Sequence, residues 1–490
     1  MSTETVIYTG VGIYLIAMIL IGFYASRSSG SAADFIVSGR RMPFWLCSAT
    51  LFATWFGAGP MVAAAGAAYE GGLLGVIADP FGGALVLFLV GFLFIRLLRR
   101  LRLLTVIELF EARFGTTAAT VAAVSAIAAN IGWTGAMLVA FGLVFESVTG
   151  IPLETGIIGG AVVVFIYTAV GGMWAVALTD FVQMVIIAIG LVLLLTVVLF
   201  DVGGWSAISA QLPEHTFRLI PLEHTPERWL NYFRAWLIFG LADIGAQAMI
   251  QRGMAAKTEQ VAQNSFYLAS LAYLSFGMIP VLLGIIASVT IPGLAQPENV
   301  IPTLAIQHLH PVAIAVFMGA VLAAIMSTTD SALLAAASIW STNILPLFRP
   351  QASDHVRLLA TQIAIPVFGT FAVVVALYVQ TVYDLIMDSN SVALACITVP
   401  FIVGVWWAKA NRIGVLAGMA AGFITWITAG THSPSLPGDL LGLLACLVTL
   451  VIVTLLTQQM DPPRPARSSL GEEVELADRL GVLPLFRRVD

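Results

Sequence analysis

Thirteen apolar runs, nearly all long enough to cross a bilayer, follow one another along the chain: roughly 6–26, 43–70, 75–96, 117–146, 153–171, 175–200, 230–251, 264–290, 312–345, 357–379, 383–407, 412–430 and 437–457. A bilayer core offers backbone groups no water, so each run satisfies its own amides only as a helix of about 20 residues. With 59% of residues hydrophobic and 10% charged, the composition lies far from the roughly 25% charged residues of soluble domains. The expected fold class is an all-α polytopic membrane protein, with a transmembrane domain over 1–457 and a short polar tail over 458–490. The first run follows MSTET, which carries an acid and no base; it is expected to remain as a helix and not be cleaved.

Orientation follows from where the basic residues sit. If the amino terminus is outside, inner loops and tail hold Arg27, Arg40, Arg41, Arg96, Arg99, Arg100, Arg102, Arg113, Arg252, Lys257, Arg349, Arg357, Lys409 and Arg412. Arg464, Arg467, Arg479, Arg487 and Arg488 continue the series in the tail, which leaves Arg218, Arg228 and Arg234 outside. So lopsided a split supports an odd number of spans, an outer amino terminus and a cytoplasmic tail in a cell membrane. Cys47, Cys396 and Cys446 lie in apolar runs without disulfide or metal spacing, and the six His fall in loops. Nothing resembles a phosphate loop, a metal-ligand cluster, a nucleophile elbow or a nucleic-acid patch. An enzyme, an organic cofactor and a nucleic-acid partner are therefore not expected.

The segment AVLAAIMSTTDSALLAAASIWST, Ala320 to Thr342, places hydroxyls and a carboxylate at membrane depth. Such groups are costly there and mark functional sites. At helical spacing Ala324, Ser327, Thr328 and Ser331 fall on one stripe, with Asp330 at its edge. The stripe offers oxygen only, which suits a hard cation without redox chemistry, such as Na⁺. Hydroxyls bonded back to their own helix are the alternative.

Two runs are interrupted at matching places. The second carries Gly57, Gly59 and Pro60, and the seventh carries Gly240 and Gly245. Broken helices at corresponding positions of two halves point to the binding site of a transporter built from inverted repeats. The expected core then covers about 43–407, with repeats over about 43–200 and 230–407.

Three motifs, GGMWAVALTDFVQM (Gly171 to Met184), GAQAMIQRGMAAKTEQVAQ (Gly245 to Gln263) and AAIMSTTDS (Ala323 to Ser331), make the chain resemble the sodium:solute symporter family. Around ATWFGAG, Ala53 to Gly59, it is most similar to the high-affinity choline transporter branch. The resemblance implies ten core helices in two inverted five-helix repeats with discontinuous first and sixth members. It also implies alternating access, a monomer, and inward Na⁺ driving solute uptake. The shared sodium site would use the carbonyls of Ala53, Phe56 and Ala324 with the hydroxyls of Ser327 and Thr328. A further cation site, for Na⁺ or H⁺, would fall at Asp180, Ser327, Asp330 and Ser331, where Asp330 replaces a hydroxyl. A pairing of Asp180 with an inner Arg is the competing role.

For the solute, Trp55 and Trp133 match aromatic positions of the choline branch, and aromatic faces attract ammonium groups. Where that branch has a further Trp, this chain has Ala246; Asp243 precedes it and Gln247 follows. The expected solute is small and amine-bearing or zwitterionic, of the choline, betaine or proline kind, bound at Trp55, Trp133, Asp243 and Gln247. Proton coupling, a sugar or carboxylate solute, and a transport-inactive membrane sensor are the alternatives.

Overall fold

The computed structural model describes residues 31–432, 437–468 and 471–474, with isolated positions before residue 25. Most of the expected first span, 6–26, and the tail beyond 474 lie outside the described residues.

Among the described residues the chain is helical from end to end. The membrane helices and the segments between them are α1 (Phe44–Trp55), α2 (Gly59–Gly75), α3 (Ile77–Leu93), α4 (Ile95–Leu101), α5 (Ile107–Phe114) and α6 (Thr116–Thr149). They continue with α7 (Leu153–Ile166), α8 (Gly171–Asp201), α9 (Pro226–Gly245), α10 (Gln247–Ala255), α11 (Glu259–Thr290), α12 (Pro311–Phe348), α13 (Asp354–Val379), α14 (Val382–Trp406), α15 (Arg412–Ala429) and α16 (Gly438–Leu456). Eight of these are long and apolar enough to cross a membrane, and up to eleven spans result if each bent pair counts as one. α7 is a shorter apolar helix.

Local chemistry sets the ends. Thr225 accepts a hydrogen bond from Arg228 N at 3.3 Å ahead of Pro226, and Thr258 accepts from Val261 N at 3.1 Å; both are side-chain N-caps that satisfy otherwise orphaned amides. At the start of α8, Gly172 has φ +62°, and a Cβ there would meet the Phe35 carbonyl oxygen at 3.0 Å. The second glycine of the GGMW motif is thus fixed by both backbone hand and close approach.

α12 lies at the centre, with 83% of its most apolar window buried. A helix apolar on all sides belongs in the middle of a bundle, and α12 packs against α6, α8, α13, α1 and α10. α15 and α16 pair with each other at the periphery. The two breaks expected from glycine and proline are present and almost equal: α1 and α2 bend by 51°, α9 and α10 by 50°. A third bend of 54°, between α3 and α4, was not expected. It occurs where the apolar run gives way to arginines. Arg99 Nε donates to the Ala256 carbonyl at 2.6 Å, and Arg100 pairs with Glu259 at 3.1 Å, which turns α4 toward the α10–α11 connection.

Candidate functional site

The two equal breaks converge on one cavity of about 60 Å³. Trp55 at the end of α1, Trp133 of α6 and Asp243 in the α9 break line it, with Ala246 and Gln247 at the start of α10. The rings of Trp55 and Trp133 are stacked, with centroids 6.3 Å apart and planes at 26°. All four expected solute residues therefore meet at one place. Gln247 lines the wall, but its amide is occupied: its oxygen accepts from Val106 N at 2.7 Å and its nitrogen donates to the Leu104 carbonyl at 3.3 Å. Asn130, Ser389 and Asn390 also line the cavity. Sequence reasoning missed them, although each is a polar residue inside an apolar run.

Beside the cavity, α1 loses its helical bonding. Phe56 adopts φ −85°, ψ 60°, and Gly57 N–H turns to the Trp55 carbonyl at 3.0 Å, away from the Ala53 carbonyl that a helix would offer it. Pro60 stands four residues after Phe56 and has no N–H, so the Phe56 carbonyl lacks an α-helical donor. Buried carbonyls in that condition cost about 1–3 kcal/mol each unless another donor or a cation satisfies them. These are two of the three backbone ligands expected for Na⁺, Ala324 being the third. α12 brings its hydroxyls to the same point: a Cβ placed on Gly57 would come within 2.3 Å of Thr328 Oγ1. Ala324, Ser327 and Thr328 are all buried, and Thr328 Oγ1 lies 3.3 Å from the Ala324 carbonyl. Thr328 also lines the solute cavity.

Below this point lies a fully buried polar cluster. Asp180 of α8 accepts short hydrogen bonds from Thr50 of α1 and Ser327 of α12. Ser331 Oγ is 2.7 Å from the Ser327 carbonyl and 3.1 Å from Asp330 Oδ1. The guanidinium of Arg252, on α10, reaches into the same cluster. Its Nη2 is 3.7 Å from Asp180 Oδ2 and hydrogen-bonds Ser331, Nε donates to Thr50 Oγ1 at 3.0 Å, and Nη1 donates to the Ala248 carbonyl at 2.7 Å. Arg252 was expected as an inner-loop charge. That expectation is overturned: its side chain is wholly buried inside the bundle. The pairing of Asp180 with an arginine, the competing role, is present together with the Ser327 and Ser331 contacts.

Near Gln247, Glu108 of α5 accepts from Leu104 N at 2.5 Å and Thr105 N at 3.1 Å, both in the segment that leads into its helix. Burial pushes its carboxyl above the ordinary carboxylate range, with these two amides and Arg40 acting in the opposite direction.

Comparison with known proteins follows the same lines. The chain is 29% identical over 455 residues to high-affinity choline transporter 1 of Caenorhabditis elegans, covering 86% of this chain and 78% of that protein. It is 28% identical over 509 residues to an osmoregulated proline transporter of Bacillus subtilis, covering 96% and 97%. A sodium/pantothenate symporter of Haemophilus influenzae is 27% identical over 422 residues, covering 82% and 86%. A solved structure of a Na⁺-coupled sialic acid symporter superimposes with a TM-score of 0.80 at 20% identity, covering 94% of this chain and 99% of that one. At that identity the likeness speaks for the fold. The model of the sodium:solute symporter family matches residues 35–422, most of the chain, and the protein belongs to that family of membrane transporters, which are not enzymes.

Proposed function

We propose that the protein couples inward Na⁺ flow to uptake of a small amine-bearing or zwitterionic solute by alternating access. The observation that carries this is the double position of Thr328, which faces the unwound α1 break with its hydroxyl and also lines the tryptophan cavity. An ion held by Ala53, Phe56, Ala324, Ser327 and Thr328 would tie α1 to α12 and shape the solute site beside it. Each ligand then needs only a different affinity in the outward and inward states for the two to be coupled. One charge crossing 100 mV contributes about 2.3 kcal/mol to the uphill step.

The solute is of the choline, betaine or proline kind, held between Trp55, Trp133 and Asp243. Relatives that carry choline and proline support that class. The Asp180 cluster gathers two carboxylates, Asp180 and Asp330, and the hydroxyls of Ser327 and Ser331 around one guanidinium. This supports a further monovalent cation, Na⁺ or H⁺, at Asp180, Asp330 and Ser331 beside Arg252. The complete topology we infer has thirteen spans, a core of ten helices in two inverted repeats, an outer amino terminus and a cytoplasmic tail.

Thermal stability of the purified protein in detergent tests the proposal, with Na⁺, K⁺ and pH crossed against choline, glycine betaine, proline, a hexose and a dicarboxylate. Ligands that bind the folded state raise its midpoint by mass action. Stabilisation that requires Na⁺ and an amine together is the expected result. Stabilisation by low pH in place of Na⁺ would sink the sodium assignment, and a response to the hexose or dicarboxylate alone would sink the solute class.

A further inference from the structure

The Asp180 carboxylate has a guanidinium partner; the acid in the cavity has none. Asp243 is 8% exposed, and its Oδ2 has no hydrogen-bond partner among the described residues. The charged group that acts on it is another acid, Asp79 of α3. Asp79 is 7% exposed, accepts from the Tyr273 hydroxyl at 2.7 Å through Oδ1, and likewise has an Oδ2 without a partner. That oxygen lies against the α1–α2 break, where a Cβ on Gly59 would meet it at 2.4 Å. The Tyr273 hydroxyl is also 3.3 Å from the carbonyl of Trp55. The α1–α2 and α9–α10 breaks therefore each have a buried carboxylate with an open acceptor, and Asp243 opens onto the cavity.

A buried carboxylate pair at membrane depth calls for a cation. In the cavity, the faces of Trp55 and Trp133 favour an organic ammonium. A quaternary ammonium satisfies the rings but brings no N–H to a carboxylate, whereas a primary, secondary or tertiary ammonium brings one or more. Ala246 offers no third ring beside Asp243.

We propose that Asp243 accepts a hydrogen bond from a protonated, N–H-bearing ammonium of the solute, with Asp79 adding negative potential from behind the α1–α2 break. The protein then selects protonated amines over their quaternary counterparts. This rests on the amine-bearing solute proposed above and narrows it.

The test is a methylation series in which charge and skeleton stay the same: ethanolamine, N-methylethanolamine, N,N-dimethylethanolamine and choline, and in parallel glycine, sarcosine, N,N-dimethylglycine and glycine betaine. Binding to the full-length protein in detergent with saturating Na⁺ is read by thermal shift and by calorimetric titration. The N–H-bearing members are expected to bind at least about tenfold more tightly than choline or glycine betaine, the size of one charge-assisted hydrogen bond. Asp243→Leu, which keeps the side-chain shape and removes the acceptor, should erase that preference. Asp79→Asn should weaken choline and dimethylethanolamine alike and keep the preference, because it removes field and not the acceptor.

Choline or betaine binding as tightly as the tertiary amines would overturn the inference, as would a preference that survives in Asp243→Leu. Either result leaves the amine-bearing class standing. If no member of either series binds while a hexose or dicarboxylate does, that class itself falls and takes the inference with it. Should the variants not fold, the wild-type series alone decides.

Discussion

Arg252 Nη2 lies 3.7 Å from Asp180 Oδ2, and both side chains are wholly buried. A single guanidinium thus ties α10 to α8, and through Thr50 and Ser331 also to α1 and α12. Removing one partner of such a pair leaves a bare buried charge and typically costs about 3–5 kcal/mol. Arg252→Gln should therefore lower the thermal midpoint strongly, and Arg252→Lys should rescue part of it, because an ammonium supplies charge without the planar fork. Equal midpoints for Arg252→Gln and wild type would show that the cluster does not hold these helices together.

Ser327→Ala removes a hydroxyl expected on Na⁺ that also hydrogen-bonds Asp180. A lost hydrogen bond to a charged group is worth about 1.5–3 kcal/mol, so the Na⁺ concentration for half-maximal uptake should rise about tenfold or more. Flux assays in proteoliposomes over a sodium range measure it; an unchanged sodium dependence refutes the assignment.

Gly57 tests the contact between α1 and α12. The Cβ of Gly57→Ala meets Thr328 Oγ1 at 2.3 Å, and overpacking of that kind costs about 1–3 kcal/mol. Gly57→Ala should reduce Na⁺ affinity. The double variant with Thr328→Ala should recover thermal stability without recovering sodium dependence, which separates packing from ligation.

Trp133→Ala removes one face of the stacked pair in the cavity. Ammonium over an aromatic face is worth up to about 2 kcal/mol when desolvated, so solute affinity should fall about tenfold at unchanged thermal stability of the solute-free protein. Uptake indistinguishable from wild type would leave both tryptophans as packing residues.

Glu108 predicts a pH effect on stability. Its carboxyl is raised in the folded protein by burial, so the folded state holds the proton more tightly than the unfolded one. Stability is then lost as pH rises from the ordinary carboxylate value through the raised one. Glu108→Gln should flatten the thermal midpoint across that window, read by unfolding scans between mildly acidic and neutral pH. A profile identical to wild type would mean that other groups set it.

The parts of this molecule that the sequence announces are those whose chemistry is local. Gly57, Gly59 and Pro60 break a helix by their own backbone properties, and the bend appears where they stand. Ser327 and Thr328 share a face because helical spacing puts them there. Arg252 was misread for the opposite reason. A basic residue at the end of an apolar run resembles a loop charge, and its burial is decided by Asp180 and Ser331, on other helices. Asp79 escaped notice in the same way: ADPFG reads as a turn at the head of a span, and only the fold sets it behind Trp55.

Pro60 has one more effect. An ordinary carbonyl freed by an unwound helix can be silenced when the helix winds up again, and an ion could be expelled by that rewinding. The Phe56 carbonyl cannot be silenced by α-helical rewinding, because the residue four places on that would donate to it is an imino acid. At the sodium site proposed above, discharge of the ion would then come from separation of the two helices that share it, and mutations that wedge α1 away from α12 should empty the site.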